Sequence, residues 1–164
     1  MAIDRTQAED FIYREVRLLD RGEFRAWHTL LTDDAEYWVP SGDPSASPLE
    51  NCSVIYADPR AVEDRLARAE SGFYWVGQPP MSTVHAVSNV LVEPTVGGAD
   101  APVECVQVIF LYRVGDQRRD QPLHALPARV EYRLREVAGQ WRMAGKKVVL
   151  LQADGLLPLL PPII

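Results

Sequence analysis

The 164-residue sequence predicts an α+β fold: a single cone-shaped domain, with three helices packed on one face of a curved, mostly antiparallel sheet of about six strands. Three observations predict it. Helical patterns gather in the first 72 residues, and four long strand patterns follow one another after residue 80. The 126–137 run alternates apolar and charged side chains with a period of two, so one sheet face is buried and the other wet or paired. The composition, 47% hydrophobic and 24% charged with no internal repeat, suits one ordinary core, so residues 1–164 read as one domain.

Each element has a local reason. Thr6 and Glu9 have capping-box spacing, and Phe11, Ile12, Val16 and Leu19 then share a helical face. Gly22 fits the left-handed residue after a helix end. A second short helix carries Phe24, Trp27 and Leu31 on its inner stripe, and Asp33 and Asp34 are expected to turn the chain into a strand over 35–39. Residues 40–51 read as a loop, because Pro40, Gly42, Pro44 and Pro48 hold neither a ladder nor a helix. A strand over 53–56 precedes Asp58 and Pro59, an N-cap acceptor followed by a Pro whose missing N–H costs nothing there. Val62, Leu66 and Ala69 form the stripe of this third helix, and Gly72 ends it. After Pro79 and Pro80 come strands over 81–92, 103–114, 126–137 and 141–151. A Gly-rich turn over 95–102 joins the first two, and a tight turn at Ala138, Gly139 and Gln140 joins the last two. In the third of these strands Ala128, Val130, Tyr132 and Leu134 share one face, and Arg129, Glu131, Arg133 and Arg135 the other. This order matches the cone fold of nuclear transport factor 2-like proteins, which says little about function by itself.

Charge and composition exclude several function classes. Seventeen basic residues stand against 23 acidic ones, net −6, and no basic stripe is present for nucleic acid: Arg118 and Arg119 sit beside Asp116 and Asp120. No apolar run approaches the ~18–20 residues of a membrane span, and the first residues lack the apolar run of a signal peptide. Two cysteines without a C-x-x-C pattern make neither a disulfide framework nor a zinc knuckle. The expected location is a reducing cytoplasm.

The candidate chemistry is sparse. His28, His85 and His124 show no i, i+3 or i, i+4 spacing for a helical metal site. The two closely spaced Cys/His pairs of a Rieske cluster are absent, and so is a visible two-His-one-carboxylate iron triad. Distant histidines meeting in space are the remaining route to a mononuclear site. Cys105 reads as a small core hydrophobe, and Cys52 lies in the Pro/Ser loop. No G-x-S-x-G elbow or phosphate cradle occurs. Acid–base groups remain: Asp34, Tyr37, Tyr56 and His85 lie on or beside sheet elements and could line a cone cavity, where a His with a carboxylate moves protons next to a carbonyl. The plainer reading makes Asp34 part of a turn, the tyrosines core, and His85 a satisfied strand histidine.

Two features point to a partner. Leu156, Leu157, Leu159, Leu160, Ile163 and Ile164 crowd the C-terminal stretch, where Pro158, Pro161 and Pro162 prevent a helix. Such a tail lies against its own sheet or against another subunit. Arg129, Arg133 and Arg135 form either a solvated face or a surface for a subunit's carboxylates. Together they predict self-association, with the tail at or beside its contact.

A longer pattern is more specific. It comprises Glu15, Leu18, Leu19 and Asp20; Trp27; Leu31, Thr32, Asp33, Asp34, Ala35, Glu36 and Tyr37; Trp38, Val39 and Pro40; Ile55, Tyr56, Ala57, Asp58 and Arg60; Ser88, Asn89 and Val90; and Lys147, Val148, Val149 and Leu150. With these residues in this order the chain resembles the small (β) subunit of Rieske-type aromatic-ring-hydroxylating dioxygenases. The resemblance implies a structural, non-catalytic subunit of an oxygenase that hydroxylates an aromatic substrate with O2 in aromatic catabolism. It implies a large α subunit as partner, an α3β3 assembly with a β trimer, and both the Rieske [2Fe–2S] cluster and the mononuclear iron in the α subunit. Electrons then arrive through a reductase and often a ferredoxin, and no catalytic, cofactor or metal residue is expected in this chain. Two readings stand beside it: a stand-alone cone-fold isomerase or dehydratase built on His85 and Asp34 with Tyr37 and Tyr56, and a small-ligand-binding module.

Overall fold

A computed structural model describes residues 2–71, 81–95, 97–113 and 122–164. Helix α1 (Arg5–Asp20) is capped by Asp4, whose carboxylate accepts the Gln7 N–H at 2.8 Å while the Gln7 side chain accepts the Asp4 N–H at 3.0 Å. The expected box at Thr6 and Glu9 is thus displaced by an earlier one. A carboxylate two residues upstream caps better than the Thr hydroxyl, and Glu9 instead pairs with Arg5 one turn back at 2.7 Å. Gly22 takes the left-handed conformation after the helix, at φ 67°.

Helix α2 (Phe24–His28) is a single turn, so Leu31 does not lie on its stripe but opens strand β1 (Leu31–Pro40). Asp33 and Asp34 are strand residues of β1 rather than a turn, and β1 is about twice the expected length. Sheet order explains this: β1 pairs with two strands, and Arg135 offers Asp34 a partner on the sheet's outer face. Strand β2 (Ser53–Ala57) leads to Asp58, which accepts the Ala61 N–H at 2.7 Å and starts helix α3 (Pro59–Glu70) as expected. Strands β3 (Met81–Val92), β4 (Ala101–Arg113), β5 (His124–Val137) and β6 (Gln140–Leu150) follow. Ala138 and Gly139, both at positive φ, make the tight β5–β6 turn. The expectations for Gly72, Pro79, Pro80, Val114 and the Arg118–Arg119 pair fall outside the described residues. None of the described helices is long and apolar enough to cross a membrane.

The six strands form one sheet in the order β2-β1-β6-β5-β4-β3. Every pairing is antiparallel except β1 with β6, which is parallel. The inner face carries Tyr37 and Val39 of β1, Val148 and Leu150 of β6, Val130 and Leu134 of β5, and Ile109 and Leu111 of β4. Helix α1 covers this face with Ile12, Val16 and Leu19, and α3 with Val62 and Leu66. The 151–164 segment forms no helix, and its last two residues enter this core: Ile163 and Ile164 are fully buried, while Leu156 is fully exposed. That is the own-sheet outcome for the end of the tail. Replacing Asp58 by Ala should remove one capping bond and cost about 1 kcal/mol, read as a lower urea midpoint at unchanged m-value.

Candidate functional site

The interior is organised by one row of residues. The parallel β1–β6 register sets Tyr37 beside Lys146, and the β6–β5 register sets Lys146 beside Tyr132. All three side chains point inward, and Glu15 of α1 reaches them from above. Lys146 Nζ donates to Glu15 Oε1 at 2.8 Å, with both side chains wholly buried. Trp27 Nε1 donates to the same oxygen at 2.6 Å, and Tyr132 donates to Oε2 at 3.1 Å. Gln107 donates in turn to the Tyr132 oxygen at 2.7 Å. The main-chain oxygen of Ile164 takes the remaining bonds, from Lys146 Nζ at 3.0 Å and Tyr37 OH at 2.9 Å. Burial holds the Tyr37 and Tyr132 phenols above their usual range, with Glu15's charge acting the same way on both. Burial also pushes the Cys105 thiol up to about 11, so it behaves as the small hydrophobe expected from its strand position.

His85 lies on β3 with its side chain shut away from solvent, and its carboxylate partner is Asp20. Its Nδ1 sits 2.5 Å from Asp20 Oδ1, its main-chain N–H donates to Oδ2 at 3.0 Å, and Thr83 donates to Oδ1 at 3.1 Å. Burial pulls the Asp20 carboxyl up, but the His85 and Thr83 bonds and the ring's charge outweigh it, leaving the group below the ordinary 3.8.

The four candidate acid–base residues are not brought together. Asp34 is on the outer face, where it accepts from Arg135 at 2.9 Å and from Thr32 at 2.8 Å. The Thr32 bond, then the Arg135 bond, holds its carboxyl low. Tyr56 is exposed and donates to Glu36 at 3.1 Å. Tyr37 is inside but bound to Ile164. His85 and Asp34 belong to β3 and β1, with three strands between them, about 19 Å at the ~4.8 Å strand spacing. The pairing of His85 with Asp34 is therefore corrected: sheet order separates them, and the end of α1 supplies the carboxylate instead.

The outer face is a ladder of ion pairs. Arg135 bridges Asp34 and Asp100, the latter at 2.6 Å, and Lys147 meets Glu131 at 3.2 Å while lying over the Trp38 ring. Arg133 reaches across β6 to Glu36 at 2.7 Å. Gly145 stands directly between these two in the register, and a Cβ there would come within 2.5 Å of the Arg133 guanidinium. The missing side chain is thus the channel through which the pair forms. Two of the three arginines noted on this strand face are consequently paired within the chain.

Sequence reasoning gave no site role to Glu15, Asp20, Gln107 or Lys146, the first two entering only through the family pattern. A signal existed for three of them. Glu15 interrupts the α1 apolar stripe, Gln107 occupies an inward position between Cys105 and Ile109, and of the neighbours Lys146 and Lys147 one must face inward. Each interruption asks for a buried partner.

Two outcomes follow from these contacts. Lys146→Met should cost about 3–5 kcal/mol in chemical denaturation by leaving Glu15 charged and unpaired, whereas adding Glu15→Gln to it should recover much of that loss. Asp20, with its lowered folded value, contributes stability that is fully present above 3.8 and lost as pH falls through the folded value. Asp20→Asn should therefore flatten the stability curve below about pH 4 relative to the native chain, as followed by thermal melts across pH.

Comparison with known proteins follows the same outline. Residues 14–154 match the family described as the ring hydroxylating beta subunit. The small oxygenase component of the p-cumate 2,3-dioxygenase system of Pseudomonas putida is 28% identical over 150 residues, covering 90% of this chain and 79% of that protein. The beta subunit of benzoate 1,2-dioxygenase from Burkholderia mallei is similar in structure, with a TM-score of 0.73 at 26% identity over 92% of both chains. An NTF2-like protein with a cystatin-like fold from Novosphingobium aromaticivorans shares the fold, with a TM-score of 0.58 at 21% identity over 90% of this chain and 82% of that one. The cone fold expected from element order is therefore present, and the chain belongs to the ring hydroxylating beta subunit family, whose members include the small oxygenase components of dioxygenase systems.

Proposed function

We propose that this chain is a structural, non-catalytic β subunit of an oxygenase that hydroxylates an aromatic compound with O2. Its partner is a large α subunit that holds the Rieske [2Fe–2S] cluster and the mononuclear iron. The observation that carries the proposal is the family match across residues 14–154. Two features of the interior support it. The central polar groups are spent on one another, since Glu15, Lys146, Tyr132 and Tyr37 have partners within the chain. Among the described residues no group of three His, Cys, Asp or Glu side chains is placed to hold a metal. The described residues offer no ligand set for an iron or iron–sulfur site, so no redox step is assigned to them.

The assembly proposed is α3β3, with the β chains as a trimer and electrons delivered to the complex by a reductase, with or without a ferredoxin. The outer-face ladder is already internally neutralised, which suits a rigid support surface more than a charged ligand site. Leu156 and Leu159 remain exposed and are offered to a neighbouring subunit. Co-expression with a large subunit carrying the C-x-H…C-x-x-H motif tests the reading. The two chains should co-purify in equal amounts, with iron following the large chain, while this chain alone stays colourless and turns over no aromatic substrate. Failure to co-purify, or a [2Fe–2S] resonance from this chain alone, would overturn it.

A further inference from the structure

The outer sheet face has two unlike halves. One carries the ladder of ion pairs described above. The other, over β3, β4 and the start of β5, is apolar. The registers set Val84 beside Phe110, and Val108 beside Pro127. These side chains point away from the helices, because the alternate residues Ile109, Leu111 and Leu126 are the buried ones. Val84 is 60% exposed, and Phe110, Val108 and Pro127 are half-buried. Three strands at ~4.8 Å, each with three outward positions at ~3.4 Å per residue, make a patch of roughly 300 Å2. That is the size at which an apolar patch on a monomer marks a contact site. At its border stands Arg129, beside Val106 and Val149. Arg133 and Arg135 of the same strand face are paired, whereas Arg129 has no partner among the described residues.

A second unsatisfied surface adjoins the first. The Leu151 N–H donates to the Pro127 oxygen at 2.9 Å, so the chain leaves β6 at the edge of the patch. Beyond that point Leu156 is fully exposed, and Asp154 is an exposed carboxylate that likewise has no partner among the described residues.

We propose that the apolar half of the outer face seats the 151–160 segment of a second copy of this chain, with Leu156 against Val108 and Phe110 and Asp154 meeting Arg129. The spacing fits. Asp154 and Leu156 lie two residues apart, at most about 7 Å. The Arg129 and Pro127 rows of the face are also about 7 Å apart. The charges fit as well, an unpaired guanidinium on the seat and an unpaired carboxylate on the segment. One repeated contact then covers both apolar surfaces. Seat and segment differ, so the contact is heterologous; because they adjoin on each chain, successive copies turn about a nearby axis and close as a small ring. The inference rests on the β trimer proposed above and names its contact. Glu104, diagonal to Arg129 and also without a partner, offers the competing arrangement. A face-to-face pair about a two-fold axis would join Arg129 to the other copy's Glu104, but it would leave Leu156 in water.

The test is analytical ultracentrifugation of the full chain at micromolar concentrations. The native chain should sediment as a trimer. Leu156→Lys and Val84→Lys alter exposed positions, so both should melt like the native chain while weakening the trimer by about tenfold or more. Arg129→Asp and Asp154→Arg should each weaken it about tenfold, and the double variant should return to within about threefold of native. A monomeric native chain, or a trimer indifferent to Leu156→Lys, would overturn the contact. So would a dimer that Val84→Lys abolishes and Leu156→Lys spares, which is the two-fold arrangement. If a lysine variant fails to fold, the charge exchange decides: no recovery in the double variant counts against the contact. Failure of the oxygenase reading is seen separately, in co-purification with the large subunit.

Discussion

The buried contact between Glu15 and Lys146 is the constraint around which the interior is arranged. A lysine at an inward sheet position loses its water and must be met by a carboxylate and further acceptors. Glu15 can meet it only if α1 crosses the sheet with that one turn above β6. Trp27 then fixes α2 against the same carboxylate oxygen, and Tyr132 brings in β5 at the other one. Ile164 closes the last direction and carries the C-terminal segment inside with it. One ion pair therefore couples two helices, three strands and a stretch without regular structure. Its net contribution to stability is modest beside that of the apolar core. Its value lies in accepting only one arrangement of the elements.

The two sheet faces solve opposite problems. Inside, among the described residues, the wholly buried charges of Glu15 and Lys146 are paired with each other. Outside, Arg133, Arg135, Lys147, Asp34, Glu36 and Glu131 are packed closely enough to neutralise one another. Exposed pairs of this kind contribute little each, roughly 0–1 kcal/mol, yet together they fix long side chains into a defined surface. Gly145 is central to that order, since any side chain there would push the Arg133 guanidinium off its path to Glu36. A family that works within larger assemblies has a physical reason to hold such a face rigid, because ordering those side chains at the moment of association would weaken binding.

Much of this was legible in the sequence where the signal is local. The period of two in β5, the Asp58 and Pro59 start of α3, and the Ala138 and Gly139 turn each depend on neighbours a few residues away. The longer pattern of residues running from Glu15 to Leu150 also pointed correctly to the family. Competition between local signals was less legible: Asp4 outranks Thr6 as a cap, and Asp33 and Asp34 read as a turn until Arg135 is known to lie beside them. Pairings across the fold were not legible. Whether His85 meets Asp34 or Asp20 depends on the strand order, and no local pattern says that β1 inserts beside β6 rather than β3. The buried acids and amides left a trace only as polar interruptions of apolar stripes, which mark that a partner exists without naming it.

The single parallel pairing has a consequence for how the molecule comes into being. β3 through β6 follow one another as sequential antiparallel neighbours, so they can zip together while still close along the chain. β1 lies more than a hundred residues upstream of β6, yet β6 is the strand that joins it, and β2 hangs from β1, to the rest of the sheet. On a ribosome, the first two strands and the helices around them would wait with an unsatisfied edge until residue 150 had emerged. The N-terminal third of the chain is thus made first and completed last, and that interval is when it is most exposed to pairing with the wrong strand.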